Sequence, residues 1–532
     1  MKKLLVLGII LSVAAFLRFY KLTTVPPSLS HDEVAIAYNA YSILKTGKDE
    51  YGMPYPLLFR SFDDYKLPGM VYSTVPFVAL FGRSTLSARL PSALYGTLSV
   101  LVMYGISAEI IGAGWLALLL PLALALQPWH INFSRQLFES NAAVFWFMLG
   151  TYFLLRSRKK YGEILWAALS YVTALYFYYS VRLVIPFVVL FYLISQWKTI
   201  IKNWKTSVLV TAISLMAFIP MGKEMLSPGG FARINTVSVA NDKSYIARKY
   251  AYTKIIAAHP TVLNKIVYNR RTALLETVIE NYWKNIDPHN LFVTGTGTYG
   301  ALYPIAAVLL PLGFVYLSHL PPFVIWLVTL WLFTGFLPGA FSTNQPNTLR
   351  TLIASPAFAL LSGLGATLAI KKWRWVAGAF LFIAFLLVFP KFLSAYFVDN
   401  PTNNALGFGD GNKQMVQYVT AHQAQYDRIY ISGYYWRPYI FMLYWGGINP
   451  ASYQNGGTRD HFGKYYFTSA SWDTSGIKLM DSSFRLSSLP HDNKTLFILS
   501  PEEYTLHEAT LTKIATINGS VARNVFVAAR LR

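Results

Sequence analysis

Six short polar segments of the chain carry residue types that can do chemistry. The first reads Pro26-Pro27-Ser28-Leu29-Ser30-His31-Asp32-Glu33-Val34-Ala35-Ile36-Ala37-Tyr38. Asp32 and Glu33 stand at the start of an amphipathic helix, where negative charge is favoured and caps open amides. A carboxylate there can equally serve as a general base. Helix neighbours point about 100° apart, so only one of the pair can address a given atom. The second segment, Ser61-Phe62-Asp63-Asp64-Tyr65-Lys66-Leu67-Pro68, sets Lys66 among acids. It reads either as a neutralised, solvated loop or as a phosphate-binding Lys66 beside Asp64. In the third, Arg135 and Glu139 are four apart, spaced to pair with each other or to serve a substrate. Tyr178 and Arg182 of the fourth, Tyr176-Phe177-Tyr178-Tyr179-Ser180-Val181-Arg182, suit an interfacial belt and a snorkelling anchor as well as substrate contact. The fifth runs from Asn281-Tyr282-Trp283 to Asp287-Pro288-His289, where His289 is structural or a ligand. The sixth, Asn344-Gln345-Pro346-Asn347-Thr348-Leu349-Arg350, ends on Arg350.

The elements that position these segments are membrane spans. Of 532 residues, 54% are hydrophobic and 13% charged, about half the ~25% charge of soluble domains. Mean hydropathy is +0.38. This excludes a disordered chain, a fibre and an ordinary soluble enzyme. The 46 Lys+Arg against 24 Asp+Glu fit the positive-inside rule better than a nucleic-acid partner. Cysteine is absent, which excludes disulfides, Cys-ligated zinc and a thiol nucleophile.

A spanning helix takes roughly 20 apolar residues. Eleven such stretches are expected: 4–20, 84–106, 110–127, 141–155, 163–180, 183–197, 206–222, 298–317, 321–338, 350–370 and 374–392. The first lacks an Ala-x-Ala site behind it and is expected to be retained rather than cleaved. Four basic runs (Lys2-Lys3; Arg156 to Lys160; Lys198 to Lys205; Lys371 to Arg374) then fall on one side, expected to be cytoplasmic with the N-terminus. Loops 21–83 and 223–297 and the tail from about 393 face outward. The tail turns polar, with a helix-like stretch at 412–421 and strand-like runs at 428–432, 495–499 and 525–529. Two domains are expected: a transmembrane catalytic domain, 1–395, and an extracytoplasmic α/β domain, 396–532. Tail aromatics at Tyr434-Tyr435-Trp436 and Tyr465-Tyr466-Phe467 fit acceptor recognition or a packed core equally well.

No acid lies deep in an expected span; Glu109 and Glu163 sit at cytoplasmic ends. An ion-coupled transporter would bury ionisable groups near the midplane. Here the carboxylates gather on the outer loops. That suits a lipid-phosphate donor whose anionic head lies at the interface and whose tail runs between helices.

The ordered set resembles the GT-C membrane glycosyltransferases, in the protein O-mannosyltransferase and aminoarabinose-transferase branch. The carrying residues are Asp32-Glu33 after the first span, Lys66-Leu67-Pro68 and Arg89-Leu90-Pro91-Ser92-Ala93. Ser134-Arg135 with Glu139, Tyr178 to Arg182, Asp287 to Phe292, and Leu349-Arg350 with Ser355-Pro356 complete it. The resemblance covers roughly residues 1–395. It implies transfer of a sugar from a polyprenyl-phosphate carrier to a hydroxyl of a protein, lipid or glycan outside the cytoplasm. It implies that Asp32 is the catalytic carboxylate, that Lys66 and arginines hold the donor phosphate, and that Glu139 is the second acidic site residue. In the aminoarabinose branch an acid directly before the lysine and a distant histidine can hold a metal. Here Tyr65 takes that place, with Asp64 one earlier; that departure speaks against a divalent metal, and no residue is assigned as a metal ligand.

A phosphate leaving group needs cations rather than a general acid, and the acceptor hydroxyl needs one base. Asp32 is expected as the base of an inverting transfer, with Glu33 and Glu139 in positioning and electrostatic roles. Lys66, Arg135, Arg182 and Arg350 are expected at the phosphate, with Asp64, Tyr178 and His289 around the substrate. The competing readings are a lipid-linked glycan ligase or polymerase, a flippase or transporter of lipid-linked sugars, and a scaffold.

Overall fold

A computed structural model describes residues 1–62, 64–297, 299–435, 437–468, 477–478, 483–484 and 494–532. The chain divides into two compact units. One comprises Met1–Tyr20, Leu57–Met70 and Ser92–Tyr396; the other comprises Lys21–Pro56, Val71–Pro91 and Phe397–Arg532.

Helices form at all eleven expected stretches, from Lys2–Phe19 to Ser355–Ser394. By length and apolarity alone, four are able to cross a membrane: Thr85–Ile111, Trp204–Met225, Pro322–Ala340 and Leu352–Asn403. Among the described residues the pair Trp115–Leu126 and Pro128–Ser134, bent by 56°, is a broken span or a re-entrant loop, and makes a fifth only when taken as one span. The remaining segments are shorter or carry more charge, so apolarity alone does not yield eleven crossings. The two stretches expected at 350–370 and 374–392 are one long helix broken at Arg374, whose φ is 46°. Two of the basic runs meet the same turn at 109–113, and a third holds a neighbouring helix end. Lys3 donates to the Ala113 carbonyl, Lys159 pairs with Glu109 at 2.7 Å, and Lys371 donates to the Tyr316 hydroxyl at 2.9 Å.

Close helix contact rests on missing side chains. A Cβ at Gly365 would lie 2.0 Å from the Leu309 carbonyl oxygen, and one at Gly313 would lie 2.1 Å from that of Leu361. Small residues allow such backbone approach between membrane helices, where no water drives association.

Breaking a helix inside an apolar layer strands carbonyls that water cannot reach. Gln127 is extended and Pro128 opens the next turn, which frees the carbonyls before it. The fully buried Arg18 of the first helix answers them. It donates to Ala125 O at 3.2 Å and Leu124 O at 3.4 Å, and meets His130 Nδ1 at 2.9 Å.

The second unit holds a six-stranded sheet in the order His461–Phe462, Tyr465–Phe467, Arg428–Ile431, Thr495–Leu499, Phe526–Leu531, Leu511–Ile517. Arg428–Ile431 runs parallel to both neighbours, and the other pairings are antiparallel. Tyr430, Phe497, Leu499, Leu511, Ala529 and Leu531 form its core. The expected strands and the helix at 412–421 are found within two residues. The second unit begins its last segment at Phe397, beside the expected boundary at 395/396, but also takes in segments from the first 91 residues. The tail packs with 21–56 and 71–91. Helix Pro438–Trp445 lies against helix His31–Thr46. Tyr444 donates to Ser84 O at 3.0 Å, and Arg83 returns a bond to Tyr444 O at 3.2 Å. The aromatic run at 465–467 is strand and core: Phe467 is fully buried and Tyr466 stacks on Tyr430 at 4.9 Å. Of the other run, Tyr435 meets Phe526 edge-on at 5.2 Å, and Trp436 lies outside the described residues.

Candidate functional site

In the first unit, five of the six segments are knitted together. Phe59–Ser61 and Asp64–Lys66 form a hairpin that ends on Lys66; Asp63 lies outside the described residues. Pro68 starts the following helix, where its missing N–H costs nothing. Gly69 then donates to Tyr176 O at 2.9 Å, and a Cβ there would strike the Phe177 ring. Tyr179 donates back to Tyr65 O at 3.2 Å. The lysine segment and the tyrosine turn are thus held in register.

The other segments join through buried amides. Trp129 donates its indole N–H to Thr348 O at 2.9 Å. Buried Asn285 donates to Gln345 Oε1 at 2.8 Å and accepts from the Asn347 amide at 3.0 Å. This folds the loop that presents Arg350, whose Nη1 donates to Thr343 O at 2.9 Å.

The tyrosines sit at the centre. Tyr178 lies within electrostatic reach of Arg350, Glu139 and Lys66, and Tyr179 of Arg182, Glu139 and Lys66. The Arg182 guanidinium lies 4.5 Å over the Tyr179 ring, and its Nη2 meets Met221 Sδ at 3.2 Å. Glu139 opens helix Glu139–Ser157, where the dipole favours its charge. Three cations, one carboxylate and two phenols make a net positive, partly buried surface, which can hold a phosphate by charge-assisted hydrogen bonds. Asp64 Oδ1 accepts its neighbour's amide, Tyr65 N, at 2.8 Å.

Arg135 does not fit the phosphate role expected of it. It is fully buried and donates to Leu17 O at 2.8 Å and Tyr20 O at 2.7 Å, which caps the first helix. Its guanidinium also lies 5.5 Å over the Tyr396 ring. His289 is exposed, and among the described residues no contact ties it to the cluster.

In the second unit the acidic pair divides. Ser30 caps helix His31–Thr46, and Glu33 completes a capping box by accepting from Ser30 N at 3.0 Å. Its other oxygen takes Arg89 Nε at 3.0 Å, with both side chains fully buried. Arg89 also donates to the carbonyls of Leu22, Pro26 and Ser28 at 3.1, 2.8 and 2.5 Å. Glu33 is therefore built into the loop that carries Asp32, where its bonds to Ser30 and Arg89 give it a positioning part. Asp32, one residue earlier, keeps a side chain 42% exposed, with Oδ2 3.8 Å from His31 Nε2. Of the two carboxylates, one is spent on the scaffold and the other is presented outward.

A divalent metal needs several hard donors at one point. Among the described residues no three His, Asp or Glu side chains converge, so no step is routed through a metal here.

Two residues outside the expected set complete the picture. Arg89, visible only as an arginine opening a span, clamps the loop that carries Asp32. Glu50 is buried in the same unit. Its Oε1 accepts from Tyr439 at 3.0 Å and its Oε2 from Asn39 at 3.2 Å. Burial pushes its carboxyl up to about 7.

Residues 67–222 match the family dolichyl-phosphate-mannose-protein mannosyltransferase. "Putative mannosyltransferase YycA" of Bacillus subtilis (strain 168) is 29% identical over 219 residues, 39% of this chain and 30% of that protein's length. The fold is similar to ArnT from Cupriavidus metallidurans bound to undecaprenyl phosphate. That likeness has a TM-score of 0.60 and 13% identity, and covers 98% of this chain and 97% of that one. It is also similar to the oligosaccharyltransferase AglB from Archaeoglobus fulgidus in complex with an inhibitory peptide and a dolichol-phosphate. There the TM-score is 0.51 at 12% identity, over 84% of this chain and 64% of that one. The resemblance is borne out in fold and, over residues 67–222, in sequence: the chain has a GT-C-like fold with helices apolar enough to cross a membrane, and its 67–222 segment is mannosyltransferase-like.

Proposed function

We propose that the protein transfers a sugar from a polyprenyl-phosphate carrier to an acceptor hydroxyl. The observation that carries this reading is the cluster of Lys66, Arg182 and Arg350 around Tyr178 and Tyr179. Among the described residues Glu139 is the carboxylate within reach of both tyrosines, where a glycosidase sets two acids across the bond. The chemistry needs little more. The acceptor oxygen passes its proton to the Asp32 carboxylate and bonds to the anomeric carbon. The bond from that carbon to the phosphate oxygen breaks, and polyprenyl phosphate leaves with the electron pair. Lys66, Arg182 and Arg350 meet the charge that grows there, with Glu139 in a positioning and electrostatic role. In-line attack inverts the anomeric centre. We place the cluster of Lys66, Arg182 and Arg350 on the extracytoplasmic face, with the basic runs and the N-terminus cytoplasmic and eleven crossings between. The acceptor is a protein, lipid or glycan hydroxyl, and the sugar a hexose or pentose.

The test uses purified protein in nanodiscs with a panel of radiolabelled polyprenyl-phosphate sugars. Release of free polyprenyl phosphate by the wild type, and its loss in Asp32→Asn, is the expected result. Full release by Asp32→Asn would overturn the base assignment. Translocation of intact donor without release would favour a transporter.

A further inference from the structure

The segment after helix Trp204–Met225 holds helices Lys243–Ala258, Val262–Val267 and Arg270–Ile286. Residues 243–271 contain seven Lys and Arg and no Asp or Glu. Between these cations stand large apolar side chains open to solvent: Val262 at 76%, Leu263 at 68% and Ile266 at 65%. None of them lies in a spanning helix.

The exposure is not that of a loose loop. Helix Arg270–Ile286 is anchored along one stripe by buried Ala273, Thr277, Asn281 and Asn285. Residues two further on lie about 200° around the helix, and there Leu275, Ile279 and Trp283 are again apolar and exposed. Helix Lys243–Ala258 is braced against it: Arg248 donates to Glu280 at 2.8 Å and to Thr277 at 2.6 Å. The assembly is fixed on one face and presents an apolar, basic surface on the other.

We infer that this surface lies in the headgroup layer of the membrane the protein spans, with its apolar residues immersed and its cations on anionic phospholipid. Apolar patches of this size on a soluble surface call for a partner. A basic helix packed on an amphipathic one, in the segment that follows a span, has the bilayer interface as its nearest one. The charge excess selects anionic over zwitterionic lipid, and each Lys or Arg near such a surface strengthens the attraction roughly five-fold. The inference rests on membrane residence alone and not on the transfer chemistry.

The absence of cysteine makes the test clean. Leu263→Cys in the full chain, spin-labelled and reconstituted, reports immersion through oxygen against water-soluble nickel-chelate accessibility. The comparison is between phosphatidylcholine vesicles and equal mixtures of phosphatidylcholine and phosphatidylglycerol. The expected result is a label shielded from nickel in the mixed vesicles, released toward water at high salt or by Lys249→Gln/Lys265→Gln/Arg271→Gln. A label hydrated in both lipids would overturn the inference. So would immersion indifferent to lipid charge and to the triple variant. Shielding that arises only when a protein or glycan acceptor is added would reassign the face to that partner. An unchanged thermal unfolding midpoint of the triple variant in detergent shows that it is folded.

Discussion

Glu50→Gln should change the pH dependence of stability more than stability itself. The carboxyl is buried beside Asn39, Tyr51 and Tyr439, with Asp49, Tyr38, Tyr453 and Arg459 as its other titratable neighbours. Desolvation is the largest cause of its rise from an ordinary 4.5 to about 7. A group raised in the folded state binds its proton more tightly there than in the unfolded chain. Its contribution is therefore whole below pH 4.5, falls as the unfolded carboxyl ionises first, and is gone above about 7. A shift of about 2.5 units at ~1.36 kcal/mol each amounts to about 3 kcal/mol. Glutamine keeps the shape. Its Oε1 can accept from Asn39, and its amide can donate to the Tyr439 hydroxyl, which rotates to accept. Only the charge is lost. Thermal unfolding of both proteins in detergent, from pH 4.5 to 8.5, isolates the effect in the difference between the two curves. That difference should start near a constant offset and grow in favour of the variant until about pH 7, then level. A difference independent of pH would refute the buried-carboxyl argument, and one that grows toward acid would reverse its sign.

Lys66→Met should raise the donor KM by roughly 10- to 100-fold, the worth of a charge-assisted hydrogen bond, and leave the unfolding midpoint unmoved. Arg135→Met should do the opposite: each carbonyl deprived of its donor costs about 1–3 kcal/mol, read as a lower midpoint with KM intact. Glu33→Gln leaves the buried Arg89 charge uncompensated and should cost about 3–5 kcal/mol, while Asp32→Asn silences transfer at unchanged stability. Gly365→Ala drives a Cβ into the Leu309 carbonyl and should cost about 1–3 kcal/mol in the same unfolding assay.

Much of the scaffold is legible because its signals are local. Twenty apolar residues, a proline at a helix start and a Ser-x-x-Glu box can each be read within one turn or one span. The Ser30–Glu33 box already announces which of two adjacent acids will be consumed, since a capping glutamate sits three residues after its serine. What stays hidden is whatever depends on a distant partner. Arg135 and Arg182 look alike in sequence: both stand in short segments among aromatics. One caps carbonyls 115 and 118 residues away, and the other lies over Tyr179 within its own turn. Arg89 reads as the opening of a span, but its acceptors lie 56 to 67 residues back. The seam at 395/396 is only partly legible for the same reason. Composition changes there, but contacts return the tail to the first polar loop. An arginine's role in such a chain is set by which carbonyls the helix breaks leave open, and a break can be read from the sequence even where its cap cannot. The extended Gln127 before Pro128 marks carbonyls that some buried donor must answer, and that demand is met by Arg18 rather than by an arginine of the same segment. Arginines of the outer segments left over once the breaks have been answered are the ones to look for at the phosphate.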